Sequence, residues 1–224
     1  MINVAILRTS GALSLEERAL SLVSDSVKEK IEGTKSEEER EYRVGAYLLL
    51  SHLFGEKTKT IVYENDVPKT DTPTPVFNYS HGDGFVALAY SECEGEKIGV
   101  DLQAEPKKKG LLSRIAERFL SPFDKIREKG DFSSIFCEYS FYEIIDGEIV
   151  KTEPLNMKRL TRAEAQCDLL SKWTILEAAL KASGGGFGDY PDSEEILTHV
   201  LTETHIFEEN GKKFALTVSA IEKS

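Results

Sequence analysis

Residues 98–103 read IGVDLQ and set an aspartate inside an otherwise apolar, strand-like run. Side chains alternate faces along a strand with a period of two. Ile98, Val100 and Leu102 therefore share one face, while Asp101 and Gln103 point together out of the other. Gly99 lies on the Asp101 face and leaves room there for something to approach. A second place is Lys172–Lys181, KWTILEAALK, where Glu177 and Lys181 stand four residues apart and share one helix face. Small side chains (Ala178, Ala179, Ala182) crowd around that pair beside the sole tryptophan, Trp173. A third is VFNYSH at 76–81, which follows an apolar pair with Asn78, Ser80 and His81. Carboxylates, an ammonium, a hydroxyl and an imidazole are groups that handle protons and ions. Each stretch alone has a plainer reading: a half-wet strand, a surface ion pair worth a few tenths of a kcal/mol, a polar turn.

The elements that must position these residues can be traced along the chain. INVAILR (2–8) reads as a first strand, and SLEE predicts a capped helix from Ser14, with Glu17 three residues on. Glu37–Phe54 predicts a helix with a wide apolar face, stopped by Gly55. TIVYEN (60–65) reads as a strand, and the proline-rich 67–75 as an irregular connection. FVALAY (85–90) and KIGVDLQ (97–103) read as paired strands joined by SECEGE. Composition changes near Pro106, where KKKGLLSRIAERFLSP opens a helix with basic flanks. Short strands flank Asp146-Gly147, a hairpin signal, and late strands flank Asn210-Gly211. Between them one long helix is predicted over 162–183, ended by SGGGFGD. Phosphate-binding glycine loops precede a helix, so this cluster reads as a stop. The expectation is an α+β protein of two similar halves, 1–104 and 105–224, each a long helix on a small, mostly antiparallel sheet.

Composition limits the function classes. The 224 residues suffice for one large domain or two smaller ones, with 40% hydrophobic and 30% charged residues. A net charge of −11 argues against general nucleic-acid binding, which needs a basic face. No apolar run reaches the roughly 18 residues of a membrane span. The N-terminal stretch lacks the basic segment and small-residue cleavage site of an export signal. Cys93, Cys137 and Cys167 are odd in number and widely spaced, which suggests reduced thiols. A cytoplasmic protein, monomeric and with no membrane partner, is expected.

Taken together, Phe77-Asn78-Tyr79-Ser80-His81, Ile98-Gly99-Val100-Asp101-Leu102-Gln103 and Trp173-Thr174-Ile175-Leu176-Glu177-Ala178-Ala179-Leu180-Lys181-Ala182-Ser183-Gly184 resemble, in order and spacing, the 4′-phosphopantetheinyl transferases. The larger, two-fold-repeated Sfp-type enzymes are the closest pattern, and the likeness covers about residues 37–190. Arg118-Phe119 before Ser121-Pro122 is similar to a helix end found there in the family. The resemblance implies a pseudo-two-fold fold with its active site between the halves. It implies transfer of the phosphopantetheine arm of coenzyme A to a serine of an acyl or peptidyl carrier protein, releasing adenosine 3′,5′-bisphosphate. It also implies magnesium held by Asp101 and Glu177, with Gln103 where a glutamate is usual. By the same resemblance Glu177 is the base for the carrier serine and Lys181 neutralises the departing bisphosphate. Ser80 and His81 contact coenzyme A phosphates, as does Arg43.

The pattern departs from the family in two places. The position of a usual cofactor-binding lysine is Val67, for which Lys69 stands as a substitute, and Gln103 brings an amide oxygen without charge. Carrier proteins are acidic, as is this chain, so long-range attraction cannot be general. A local basic run (Lys107, Lys108, Lys109, then Arg114 and Arg118 at helical spacing) is either a solvated face or a carrier-docking surface. Val67 and Gln103 keep open an alternative, a non-catalytic protein that binds carrier or coenzyme A. Asp101, Glu177 and Lys181 favour the enzyme.

Overall fold

INVAILR forms strand β1 (Ile2–Arg8) in the computed structural model, which describes residues 1–64, 67–106, 110, 135–184 and 200–221. A left-handed Gly11 then leads into a 3-10 turn, Ala12–Leu15, where the Ser14 hydroxyl donates to the Gly11 carbonyl at 2.7 Å. Ser14 is thus spent inside that turn and caps no helix, contrary to the capping-box expectation. Helix α1 (Glu16–Ser21) starts two residues later, followed by α2 (Asp25–Glu32). Helix α3 (Glu37–Phe54) runs over the predicted span. Ser36 accepts from the Glu39 amide, and Glu37, Glu38 and Glu39 fill the first turn, where the helix dipole favours negative charge. Gly55, at positive φ, ends it.

Strands β2 (Val62–Glu64) and β3 (Val67–Lys69) form a small separate hairpin. The segment 67–75 is therefore not irregular throughout. Pro68 is tolerated because a two-stranded ribbon leaves one side of each strand unpaired. Strands β4 (Val76–Gly82) and β5 (Phe85–Ser91) turn through Asp83-Gly84, both at positive φ, the geometry of a tight two-residue hairpin. Strand β6 (Ile98–Ala104) follows, and then β7 (Cys137–Ile145) and β8 (Glu148–Thr152), which turn through Asp146-Gly147 with the same backbone signs.

The chain divides into two compact units. One comprises Asn3–Gly95 and Tyr139–Pro154, the other Met1–Ile2, Glu96–Glu138 and Leu155–Ser224. In contiguous halves split at 104/105, β6 would belong with the first and the β7–β8 hairpin with the second. The division observed is the reverse for both. β5 and β6 are likewise not partners: the polar stretch between them leads from one unit to the other, and each strand pairs within its own sheet.

In the first unit the sheet order is β4-β5-β1-β7-β8. Leu7, Val86 and Leu88 of the sheet share a buried cluster with Val44, Tyr47, Leu48 and Leu50 of α3 and with Val27 and Ile31 of α2. Each such aliphatic side chain contributes roughly 1.5–3 kcal/mol on burial.

In the second unit β9 (Lys158–Arg159), α4 (Arg162–Cys167), α5 (Leu169–Ser183), β10 (Val200–Glu209) and β11 (Lys212–Ile221) complete an antiparallel sheet ordered β6-β11-β10-β9. The single helix expected over 162–183 is two. Asp168 takes an extended conformation between them, and its carboxylate accepts from the amide and hydroxyl of Ser171 at 3.0 and 2.6 Å. An N-cap aspartate starts a helix and does not continue one. Helix α5 packs on β6, β11 and β10, and among the described residues no helix is long and apolar enough to cross a membrane. The fold class is mixed α+β.

Candidate functional site

Asp101, Glu177 and Lys181 meet where α5 crosses β6 in the second unit. Gly99 makes the crossing possible. The space in front of its Cα is taken by α5 backbone, with a built Cβ falling 2.0 Å from the Ala178 carbonyl oxygen and 2.6 Å from the Ala182 nitrogen. The approach that Gly99 permits is thus the helix itself, and Ala178 and Ala182 are small because they lie in that contact. Consequently the Asp101 face of β6 is covered, and Asp101 is only 2% exposed.

Burial of a carboxylate requires compensation. Lys181 supplies part of it, donating from Nζ to Asp101 Oδ1 at 2.8 Å and to the Val100 carbonyl at 3.1 Å. Glu177, one turn earlier, is hydrogen-bonded to Asp101. Burial first, then the neighbouring Asp101 charge and that hydrogen bond, push the Glu177 carboxyl up to about 8, with Lys181 opposing. The Glu177 carboxyl is therefore held largely protonated near neutral pH beside Asp101. The i, i+4 pair of Glu177 and Lys181 is not a surface ion pair, because both side chains converge on Asp101.

A hard cation could take that proton's place. Two convergent carboxylates that cannot both ionise alone suit magnesium, which prefers one or two carboxylates with water and substrate phosphates completing its shell. Gln103 donates from its amide nitrogen to the Ala104 carbonyl at 3.4 Å, which leaves its oxygen as a further neutral ligand or a support for bound water. Among the described residues no group of three or more His, Cys, Asp or Glu is poised to hold a metal. Asp101, Glu177 and the Gln103 oxygen are the side chains there that could hold such an ion.

Ser80, His81 and Arg43 lie in the first unit. Ser80 is buried in β4, and the His81 ring stacks on Tyr42 at 4.8 Å between centroids. Glu39, one turn before Arg43 on α3, accepts from Arg43 at 3.2 Å and stands 3.5 Å from His81 Nε2. Arg43 and His81 are thus brought together on one carboxylate. Glu39 was not singled out from sequence, although its i, i+4 spacing to Arg43 was visible. Lys69 sits on the β2–β3 hairpin with Glu64, 2.6 Å away, and that exposed pair is its described partner. Lys107, Lys108, Lys109, Arg114 and Arg118 lie outside the described residues, as does the glycine cluster from Gly185 on.

A second polar cluster in the second unit escaped the sequence reading. Glu203 on β10 is buried and paired with Arg159 of β9 at 3.0 Å, with His205 Nδ1 3.8 Å from its other oxygen. Leu201, Glu203, His205 and Phe207 share one face of β10, so an acid and an imidazole set between two large apolar residues were the available signal. Burial, and then the Arg159 charge, hold the His205 imidazole down at about 4. Glu203 would favour the charged ring, but its charge is already answered by Arg159, and burial prevails. The sign follows directly. The unfolded chain takes up the His205 proton below about 6.5, while the folded chain resists until about 4, so stability is lost as pH falls through that window. Between pH 7 and pH 5 the wild type should lose about 2 kcal/mol more than His205→Gln, measured by urea unfolding at each pH. Equal losses would show that His205 charges freely in the fold.

No protein-family model matches the chain, and no curated protein matches it.

Proposed function

We propose that the chain is a magnesium-dependent 4′-phosphopantetheinyl transferase that modifies an acyl or peptidyl carrier protein from coenzyme A. The observation that carries the reading is the convergence of Asp101, Glu177 and Lys181. The motifs are 70 or more residues apart in sequence, and an incidental strand acid and a surface ion pair would have had no reason to meet. In this reading Asp101 and Glu177 hold magnesium, with Gln103 beside them. When bound, the ion neutralises the diphosphate of coenzyme A and leaves Glu177 ionised.

The carrier serine hydroxyl then attacks the phosphorus that bears the pantetheine arm. Its proton passes to Glu177, the diphosphate P–O bond breaks, and adenosine 3′,5′-bisphosphate departs with its new charge facing Lys181. Ser80, His81 and Arg43 bind coenzyme A phosphates, which must displace Glu39 from Arg43 and His81. The test is incubation with coenzyme A, magnesium and a panel of apo-carriers, followed by carrier mass. A mass gain equal to one phosphopantetheine is expected on at least one. Binding of coenzyme A with no gain on any carrier would leave the non-catalytic binding protein as the better reading.

Gln103 yields a separate expectation. With two carboxylates and one amide, the free protein should hold magnesium weakly until coenzyme A supplies phosphate oxygens, and the coupling must be reciprocal. Gln103→Glu should tighten magnesium binding to the cofactor-free protein by about tenfold, as expected of one added ligand charge worth ~1.4 kcal/mol. Calorimetric titration of each ligand, with and without the other, measures this; unchanged affinity would remove Gln103 from the metal's surroundings.

A further inference from the structure

Arg43 and His81, the groups gathered on Glu39, reach that carboxylate from different elements. Arg43 stands one turn along α3 from Glu39, so the helix itself sets their separation. His81 comes from β4, and its ring can turn about its side-chain bonds. Something must fix the ring if Nε2 is to face the place that Glu39 now fills. Tyr42 lies against it: the two rings are 4.8 Å apart between centroids and inclined by 21°, a stacked pair. Tyr42 is 6% exposed and belongs to the core cluster of the first unit. Its phenol is held both as donor and as acceptor. It donates to Glu38 Oε1 at 2.9 Å, and it accepts from the Gly84 amide at 3.1 Å, in the turn three residues beyond His81. The Tyr42 ring is therefore tied to α3 at its root and to the β4–β5 turn at its tip.

We propose that Tyr42 is a positioning residue for a ligand phosphate: its fixed ring holds the His81 imidazole in one plane and so aims Nε2 at the anion seat shared with Arg43. The inference rests on the transferase reading, in which that anion is a coenzyme A phosphate. Tyr42 itself acts through His81 and touches no ligand. A ring already fixed loses less freedom when a phosphate arrives, so its hydrogen bond contributes more to affinity. A core tyrosine that only supported α3 would act on Arg43 and His81 alike, and the two roles therefore differ in what they do to Arg43.

The experiment measures coenzyme A affinity of the full chain by calorimetry at saturating magnesium, in double-mutant cycles. His81→Ala should weaken binding by about tenfold, the scale of one hydrogen bond to a charged group. Tyr42→Leu removes the ring face but keeps an apolar side chain, and it should weaken binding in the same direction. In that background His81→Ala should cost less than about twofold further, since coupled residues do not add. Arg43→Gln should weaken binding by the same factor with or without Tyr42→Leu. Tyr42→Phe keeps the stacked ring, so His81→Ala should cost as much there as in wild type, whatever the lost phenol bonds do to Tm. An equal cost of His81→Ala in wild type and Tyr42→Leu would overturn this inference alone and leave the phosphate site standing. A cost of Arg43→Gln that vanished in Tyr42→Leu would overturn it too, by making Tyr42 a general support of α3. If Tyr42→Leu does not fold, the Tyr42→Phe cycle decides, because loss of the His81→Ala effect there would show that the phenol and not the ring fixes His81. Absence of coenzyme A binding, or no cost of His81→Ala in the wild type, would overturn the reading of the site and this inference together.

Discussion

Glu177→Gln is expected to lower phosphopantetheinyl transfer by about 10²–10⁴-fold or more, the range lost when a positioned acid–base group is removed. The fold should survive. In the wild type the Glu177 carboxyl holds a proton against Asp101, and a glutamine amide is nearly isosteric with that protonated form. It can donate the same hydrogen bond and adds no charge to the buried pair, so Tm should stay within a few degrees of wild type. What the amide cannot do is accept a serine proton or contribute a charge to a cation. The loss should therefore appear in the transfer step itself, measured as carrier mass gained in single-turnover conditions at saturating magnesium and coenzyme A. Turnover like that of wild type in the purified variant would remove Glu177 from the chemistry. A variant that unfolds would show instead that the ionised carboxylate stabilises the fold, contrary to its raised protonation.

How much of this arrangement could be read beforehand depends on the range of the interaction involved. Helix α3 was legible end to end because its signals are local: Ser36 and three glutamates at the start, a wide apolar face, and Gly55 at the stop. The Asp146-Gly147 and Asn210-Gly211 turns were legible for the same reason, since two adjacent residues at positive φ almost name the hairpin. Strand pairing was not. β5 and β6 are separated by a short polar stretch that looks like a hairpin loop, yet β6 pairs with β11, more than a hundred residues on. Nothing local distinguishes a loop from a passage between units. The break at Asp168 was missed because an apolar periodicity continues across it, and only the capped amide of Ser171 reveals that the aspartate begins a helix.

At the candidate site, spacing identified Asp101, Glu177 and Lys181 as residues, but their state came only from packing. Alternation predicted that Asp101 would leave the buried face, which assumes that a strand has one wet side. Here α5 covers that side. The same covering turns an ion pair of little consequence into a desolvated triad, because the two electrostatic regimes differ several-fold in strength. Glu39 and Glu203 show the complementary failure. Each was visible as an acid at a suggestive spacing, but its partners, His81 and Arg159, come from elements far along the chain.

Gly99→Ala is expected to cost about 3 kcal/mol or more, at the upper end of what one inserted methyl group does to a packed interior. The reason lies in what the new Cβ meets. The Ala178 carbonyl oxygen would stand 2.0 Å away, its carbonyl carbon 3.1 Å away and the Ala182 nitrogen 2.6 Å away. These are backbone atoms of a helix, so no rotamer change can clear them. Either α5 lifts off β6 or the strand bends, and both responses part Glu177 and Lys181 from Asp101, leaving a buried carboxylate without its ammonium. Urea unfolding should show a lower midpoint at an unchanged slope, the signature of altered stability without altered exposure. A companion variant isolates the cause. If a side chain were in the way, Ala178→Gly would relieve the strain, but a backbone clash is indifferent to that truncation. Gly99→Ala combined with Ala178→Gly should thus be no more stable than Gly99→Ala alone, and lower by the additional cost of about 1 kcal/mol for a glycine inside a helix. Rescue by Ala178→Gly, or a Gly99→Ala protein as stable as wild type, would mean that α5 does not rest on Gly99 and that the covered Asp101 face has another cause.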